Sequence, residues 1–170
     1  AHAKAENIPG IAYGIVVDNE LVLASATGFM NIENNTLATP MSSFRIASMT
    51  KSFTAMAIMK LRDEGKLQLS DPASNYIPEM ANLEYLTEDA PIIDIENLLT
   101  MTAGFPEDNP WGDRQLHESD TMLLDLIGDG VSFSNASSYE FEYSNTGYAL
   151  LGHIISRVSG MPYQDYITVN

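Results

Sequence analysis

Ser43-Phe44-Arg45-Ile46-Ala47-Ser48-Met49-Thr50-Lys51-Ser52-Phe53-Thr54-Ala55-Met56-Ala57-Ile58-Met59-Lys60 reads as an apolar helix whose first turn carries Ser48 and, three residues on, Lys51. Residues three apart on a helix lie on one face, one turn above each other. A lysine nitrogen then comes within hydrogen-bond reach of a serine hydroxyl. Serine is a weak nucleophile at neutral pH and needs a base to take its proton. Lysine serves when burial or nearby positive charge lowers its pKa. A helix N-terminus adds backbone N–H donors for an oxyanion forming beside Ser48. The plain alternative is a capping serine followed by a solvated charge. Two details weigh against it. The helix is apolar nearly all round (Met49, Phe53, Met56, Ala57, Ile58, Met59, Leu61), which predicts a buried, central element. Lys51 also belongs to the only Ser-x-x-Lys in the chain, and a lysine at the start of a buried helix needs a reason.

The 170 residues, 45% of them hydrophobic, are sufficient for one domain with a real core. No apolar run approaches a membrane span, and no signal peptide is visible at the start. The absence of cysteine excludes disulfides, thiol catalysis and thiolate metal sites. Acidic residues outnumber basic ones 23 to 8, a net charge of −15. Beyond Leu67 the only Lys or Arg side chains are Arg114 and Arg157. Such a surface repels nucleic acid and anionic membranes, so neither is expected as a partner.

Ala1 to Glu6 reads as the tail of a helix, broken at Pro9-Gly10. Strands are predicted over about 11–26, hinged at Asp18-Asn19-Glu20, with Gly28 to Pro40 as polar connection. The Ser48 helix should run to about Glu64 and stop at Gly65. Asp71 or Ser70 should cap a short helix opened by Pro72, and Asp94 one that stops at Gly104. The loop from Phe105 to Gln115 surrounds the only tryptophan, Trp111, a packing anchor or an aromatic wall of a cleft. Further helices are expected over Asp120–Ile127, along the apolar stripe 150, 151, 154, 155 and 158 up to Gly160, and after Pro162. Early strands followed by many short helices indicate an α+β fold.

Tyr143-Ser144-Asn145, the only Tyr-x-Asn, sits at a loop-to-helix junction. Positive charge near a tyrosine favours its phenolate, and Asn offers both a donor and an acceptor to a substrate amide. A core tyrosine beside a capping asparagine would look the same.

In combination these segments resemble a family. Phe44-Arg45-Ile46-Ala47-Ser48-Met49-Thr50-Lys51, Gly65-Lys66-Leu67-Gln68-Leu69-Ser70-Asp71-Pro72, Leu98-Leu99-Thr100-Met101-Thr102-Ala103-Gly104 and Tyr143-Ser144-Asn145-Thr146-Gly147-Tyr148 stand in the order found in class C β-lactamase-like serine hydrolases. That family includes D-alanyl-D-alanine carboxypeptidases, D-aminopeptidases and esterases. The resemblance covers nearly the whole chain. It implies that Ser48 is acylated, that Lys51 shares its proton, and that Tyr143 is general base and then acid. Asn145 would bind the substrate amide and contact Lys51, and the Ser48 N–H would form half the oxyanion hole. Trp111 is carried as a candidate substrate contact. No metal or cofactor is implied; the substrate would be a small molecule or peptide, and the location periplasmic or secreted.

The family's third motif, Lys or His, then any residue, then Gly, is missing: no lysine follows Lys66, and His153 is followed by Ile154-Ile155. Met101-Thr102-Ala103-Gly104 also replaces the usual His-Thr-Ser-Gly. The expectation is therefore a β-lactamase/penicillin-binding-protein-like fold in incomplete form. It would comprise an N-terminal hairpin and a helical region over about 48–170, all part of one domain. The C-terminal strands of the central sheet would come from a complementary chain or segment. Rival hydrolases lack their motifs: there is no Gly-x-Ser-x-Gly elbow, and His117-Glu118 has no second histidine at helical spacing. The rival of another class is a non-catalytic binding or sensor domain of the same fold.

Overall fold

The computed structural model describes residues 5–108 and 119–170. The chain forms two compact units, Ala1–Ala47 and Ser48–Asn170.

In the first unit, strands β1 (Gly10–Val17) and β2 (Glu20–Asn31) pair antiparallel, with Gly10 opposite Gly28 and Val17 opposite Glu20. Asp18 and Asn19 make the turn, both at positive φ (49° and 65°). Such a turn suits the right-handed twist of the strands, and short polar side chains tolerate it. The expected hairpin is present, but β2 does not stop at Ala26. At Gly28 a Cβ would overlap the Pro9 carbonyl, which accepts from the Phe29 N–H at 2.7 Å, and the strand continues to Asn31. Strand β3 (Thr36–Leu37) then pairs with β2, so the predicted polar connection contains strand. Asparagines fold the turn between them: Asn31 Oδ1 accepts from Asn34 N–H at 3.1 Å, and Asn34 Oδ1 accepts from the Thr36 N–H and hydroxyl. Apolar side chains stand exposed along the hairpin, among them Ile15, Val16, Leu21 and Val22.

The second unit is helical. Its core is built on α4 (Asn145–Ser159), where Leu150, Leu151, Ile154 and Ile155 are fully buried, as the stripe predicted. Burial of each such side chain stabilises by about 1.5–3 kcal/mol. Against α4 pack α1 (Thr50–Asp63), α2 (Ile95–Thr100) and α5 (Tyr163–Val169), while α3 (Asp120–Gly128) packs on the turn Pro78–Met80. Helix α1 ends as expected: Gly65 (φ 71°) donates to the Arg62 carbonyl at 2.8 Å, and Lys66 N–H to Leu61 at 3.0 Å.

Three expectations need correction. Helix α1 is not buried all round. Its core stripe is Thr54, Ala57, Ile58 and Leu61, whereas Met49 and Met56 are each 68% exposed and Phe53 48%. Spacings of three and four put these three on another face, and no described residue buries them. Helix α2 has the predicted Asp94 cap, in a reciprocal pair with Asn97, but it stops at Met101 (φ 57°) rather than Gly104. Gly104 (φ 84°) serves close approach instead, because a Cβ there would overlap the Asn135 carbonyl. The helix expected after Pro72 is only a 3-10 turn, Ala73–Asn75, without a side-chain cap. Asp71 accepts instead from Gln68 N–H at 2.7 Å and Tyr76 O–H at 2.6 Å, and burial first, then that hydrogen bond, pushes the Tyr76 phenol up to about 12.

Candidate active site

Ser48 lies in a 3-10 turn, Ala47–Met49, that leads into α1, so it precedes the α-helix rather than opening its first turn. Ala47 immediately before it has φ 47°, a left-handed conformation costing roughly 1–2 kcal/mol in a residue with a Cβ. Such outliers cluster at functional sites. Ser48 is exposed, and Lys51, in the first turn of α1, is half-buried. Tyr143 and Asn145 flank Ser144, the cap of α4, whose hydroxyl accepts from Gly147 N–H at 3.0 Å. The residue before the cap, Tyr143, and the first residue of the helix, Asn145, thus present side chains toward one point.

That point is the Lys51 ammonium. Its three hydrogens match three acceptors: Asn145 Oδ1 at 2.6 Å, Tyr143 Oη at 2.9 Å and Ser48 Oγ at 3.4 Å. Ser48 Oγ and Tyr143 Oη are themselves 2.6 Å apart. With the phenol ionised, Ser48 donates to Tyr143; with it neutral, Tyr143 donates to Ser48. The geometry serves both states of a proton shuttle. Burial pushes the Tyr143 phenol up, but the hydrogen bonds from Lys51 and Ser48 and the Lys51 charge outweigh burial and the charge of Asp108. The net shift is below the ordinary tyrosine value.

Four of the five sequence-derived site residues, Ser48, Lys51, Tyr143 and Asn145, therefore meet. Trp111 lies outside the described residues. Two neighbours had been given no site role from the sequence. The Tyr148 ring lies 5.6 Å from Lys51 Nζ, and its hydroxyl donates to the Leu99 carbonyl at 3.0 Å. Its position three residues after Asn145 on α4 was the available signal. Asp108 binds the N-terminus of α4, accepting from Asn145 and Thr146 N–H groups at 2.7 Å each. Nothing local marks it, since its partners lie 37 and 38 residues away. Among the described residues no group of three or more His, Asp or Glu is placed to hold a metal ion.

The Beta-lactamase family profile matches residues 1–169. This chain belongs to the β-lactamase family. Protein flp of Staphylococcus aureus (strain MW2) is 34% identical over 165 residues, covering 95% of this chain and 32% of that protein. Among solved structures, the octameric penicillin-binding protein homologue from Pyrococcus abyssi superposes with a TM-score of 0.81 at 31% identity, over 98% of this chain and 39% of that one. The D-amino acid amidase from Ochrobactrum anthropi SV3, complexed with L-phenylalanine, does so with a TM-score of 0.75 at 25% identity, over 98% and 45%. The chain spans about a third of the length of the curated relatives it matches. The three-stranded sheet and the helices are an incomplete α+β form of the β-lactamase/penicillin-binding-protein fold.

Proposed function

We propose that this chain carries the nucleophile and proton-shuttle part of a serine hydrolase acting through an acyl-enzyme on amide or ester bonds. The observation that carries the reading is the Ser48 Oγ–Tyr143 Oη contact at 2.6 Å, with Lys51 donating to both oxygens. Phenolate Tyr143 takes the Ser48 proton as Oγ attacks the substrate carbonyl. The tetrahedral oxyanion is received by backbone N–H donors, of which Ser48 supplies one. Collapse breaks the bond to the leaving nitrogen or oxygen, which takes the proton back from Tyr143. Water, deprotonated by the same phenolate, then attacks the ester on Ser48. The acid product leaves, and the proton returns to Ser48.

Lys51, donating to Tyr143 Oη and Ser48 Oγ, keeps Tyr143 easy to ionise, while Asn145 orients Lys51 and offers its amide N–H₂ to a substrate carbonyl. The route calls on no metal or cofactor. Trp111 is kept as a candidate substrate contact on the sequence alone. Candidate substrates are D-amino-acid peptides or amides, β-lactams and simple esters; the D-amino acid amidase neighbour supports the first class. A complementary segment would supply the second oxyanion donor and further strands against the exposed hairpin. A periplasmic or secreted location is the expectation that the family resemblance supports. Among the described residues, no helix is long and apolar enough to cross a membrane.

Turnover by the full-length chain on a p-nitrophenyl ester and a D-amino-acid p-nitroanilide tests the reading. Many turnovers per molecule, abolished by Ser48→Ala, are expected. A single stoichiometric release followed by silence would instead identify a binding or sensor domain.

A further inference from the structure

Capping of α4 is unusually complete for a helix that already has a serine cap. Ser144 Oγ accepts from Gly147 N–H. Asp108 Oδ1 accepts from Asn145 N–H at 2.7 Å, and Oδ2 from Thr146 N–H at 2.7 Å and the Thr146 hydroxyl at 2.6 Å, with the Ser144 hydroxyl at 3.5 Å. The N–H groups of the first three residues after the cap therefore all have side-chain acceptors. The two bound by Asp108 belong to Asn145, which meets Lys51, and to the residue after it. Glu142 ties the Asp108 loop to the neighbouring turn: its carboxylate accepts from Glu107 N–H at 2.9 Å, from Asn135 Nδ2 at 2.9 Å and from the Ser134 hydroxyl.

We propose that Asp108 is a positioning residue of this site, clamping the backbone of Asn145 and Thr146 so that Asn145 Oδ1 and Tyr143 Oη both reach the Lys51 ammonium. The inference rests on the reading of Tyr143 as proton acceptor. A carboxylate on the first two N–H groups fixes both rotation and depth of the α4 N-terminus, which a hydroxyl cap alone does not. Shifts of about 1 Å at reacting groups cost roughly 100-fold in rate. Asp108 acts through charge as well. Among the described residues, the groups facing Tyr143 are Lys51 from α1, Ser48 from the turn before it and Asp108 from its loop, with Tyr148 across Lys51. Of these, Asp108 and Lys51 carry formal charges of opposite sign. The Asp108 charge opposes Lys51 and holds the phenol from ionising too readily.

The test compares wild type, Asp108→Asn and Asp108→Glu in the full-length chain. It reads Ser48 acylation by a fluorophosphonate against pH, and the Tyr143 titration by ¹³Cζ-tyrosine NMR, assigned with Tyr143→Phe. Asp108→Asn should slow acylation by about 10-fold or more. It should also move both the acid limb of the profile and the Tyr143 midpoint to lower pH, because a negative charge is gone. Asp108→Glu keeps the charge but displaces it, so acylation should fall while the midpoint stays near wild type. If Asp108→Asn fails to fold, the Glu variant decides: acylation at the wild-type rate overturns the inference. So does a loss in Asp108→Asn that follows its melting temperature with the midpoint unmoved. If wild type itself is not acylated, the hydrolase reading fails separately. The Tyr143 midpoint then decides for Asp108: a fall in Asp108→Asn supports it, no movement overturns it.

Discussion

Lys51 Nζ donates to Asn145 Oδ1 at 2.6 Å, across 94 residues of sequence, the shortest of the contacts that gather on this ammonium. The pair joins the first turn of α1 to the first turn of α4, whose buried faces form one core. The geometry of the candidate site and the packing of the core therefore share the same two helices.

Removing the Asn145 amide should release Lys51 from one of its three acceptors. In Asn145→Ala the hydrolysis rate should fall by about 10- to 100-fold, mostly in kcat, while the melting temperature changes little because Asn145 is only half-buried. Steady-state kinetics with a melt of the same sample checks this. An unchanged kcat would mean that the contact does not steer Lys51.

The proton affinity of Tyr143 is a balance in which burial is the largest influence and Lys51 the main opposing one. Lys51→Met should let burial prevail, so the Tyr143 midpoint should rise, visible in a ¹³Cζ-tyrosine titration. Tyr143→Phe removes the shuttle and should lower turnover by about 10²- to 10⁴-fold. A Lys51→Met midpoint at or below wild type would contradict the balance.

Glu142 is held below the ordinary carboxylate value of 4.5, first by the Ser134 hydroxyl and then by the Glu107 N–H, against burial, with Asn135 adding a smaller downward pull. A depressed folded-state pKa contributes stability that is fully present above the unfolded value and is lost as pH falls through the folded one. The advantage of wild type over Glu142→Gln should therefore be constant above 4.5 and shrink on acidification below it. Paired thermal melts across pH report this. Parallel curves down to the lowest pH would refute it.

Tyr166 is 3% exposed, and its hydroxyl has no hydrogen-bond partner among the described residues. A buried, unsatisfied hydroxyl costs about 1–3 kcal/mol. Tyr166→Phe keeps the ring and should leave stability unchanged or raise it in denaturant unfolding. Destabilisation beyond about 1 kcal/mol would show that the hydroxyl is satisfied after all.

The helices were legible where a single periodicity decided them. The α4 stripe, the Gly65 and Gly160 stops and the Asp94 cap all follow from local chemistry, and the structure has them. Ser48, Lys51, Tyr143 and Asn145 were legible as spacings with recognisable chemistry, and they do converge. What escaped depended on partners distant in sequence. The exposed Met49, Phe53 and Met56 face could not be told from the core face, because both are equally apolar. Met101 took a left-handed position that residue type assigned to Gly104. Asp108 looked like any loop acid until the fold brought the start of α4 to it.

The most direct measurement is the intact mass of the full-length chain before and after exposure to a fluorophosphonate, with the adduct mapped by peptide. One adduct is expected, on Ser48, absent in Ser48→Ala and strongly slowed in Tyr143→Phe. An unmodified chain, or an adduct on any other residue, would contradict it.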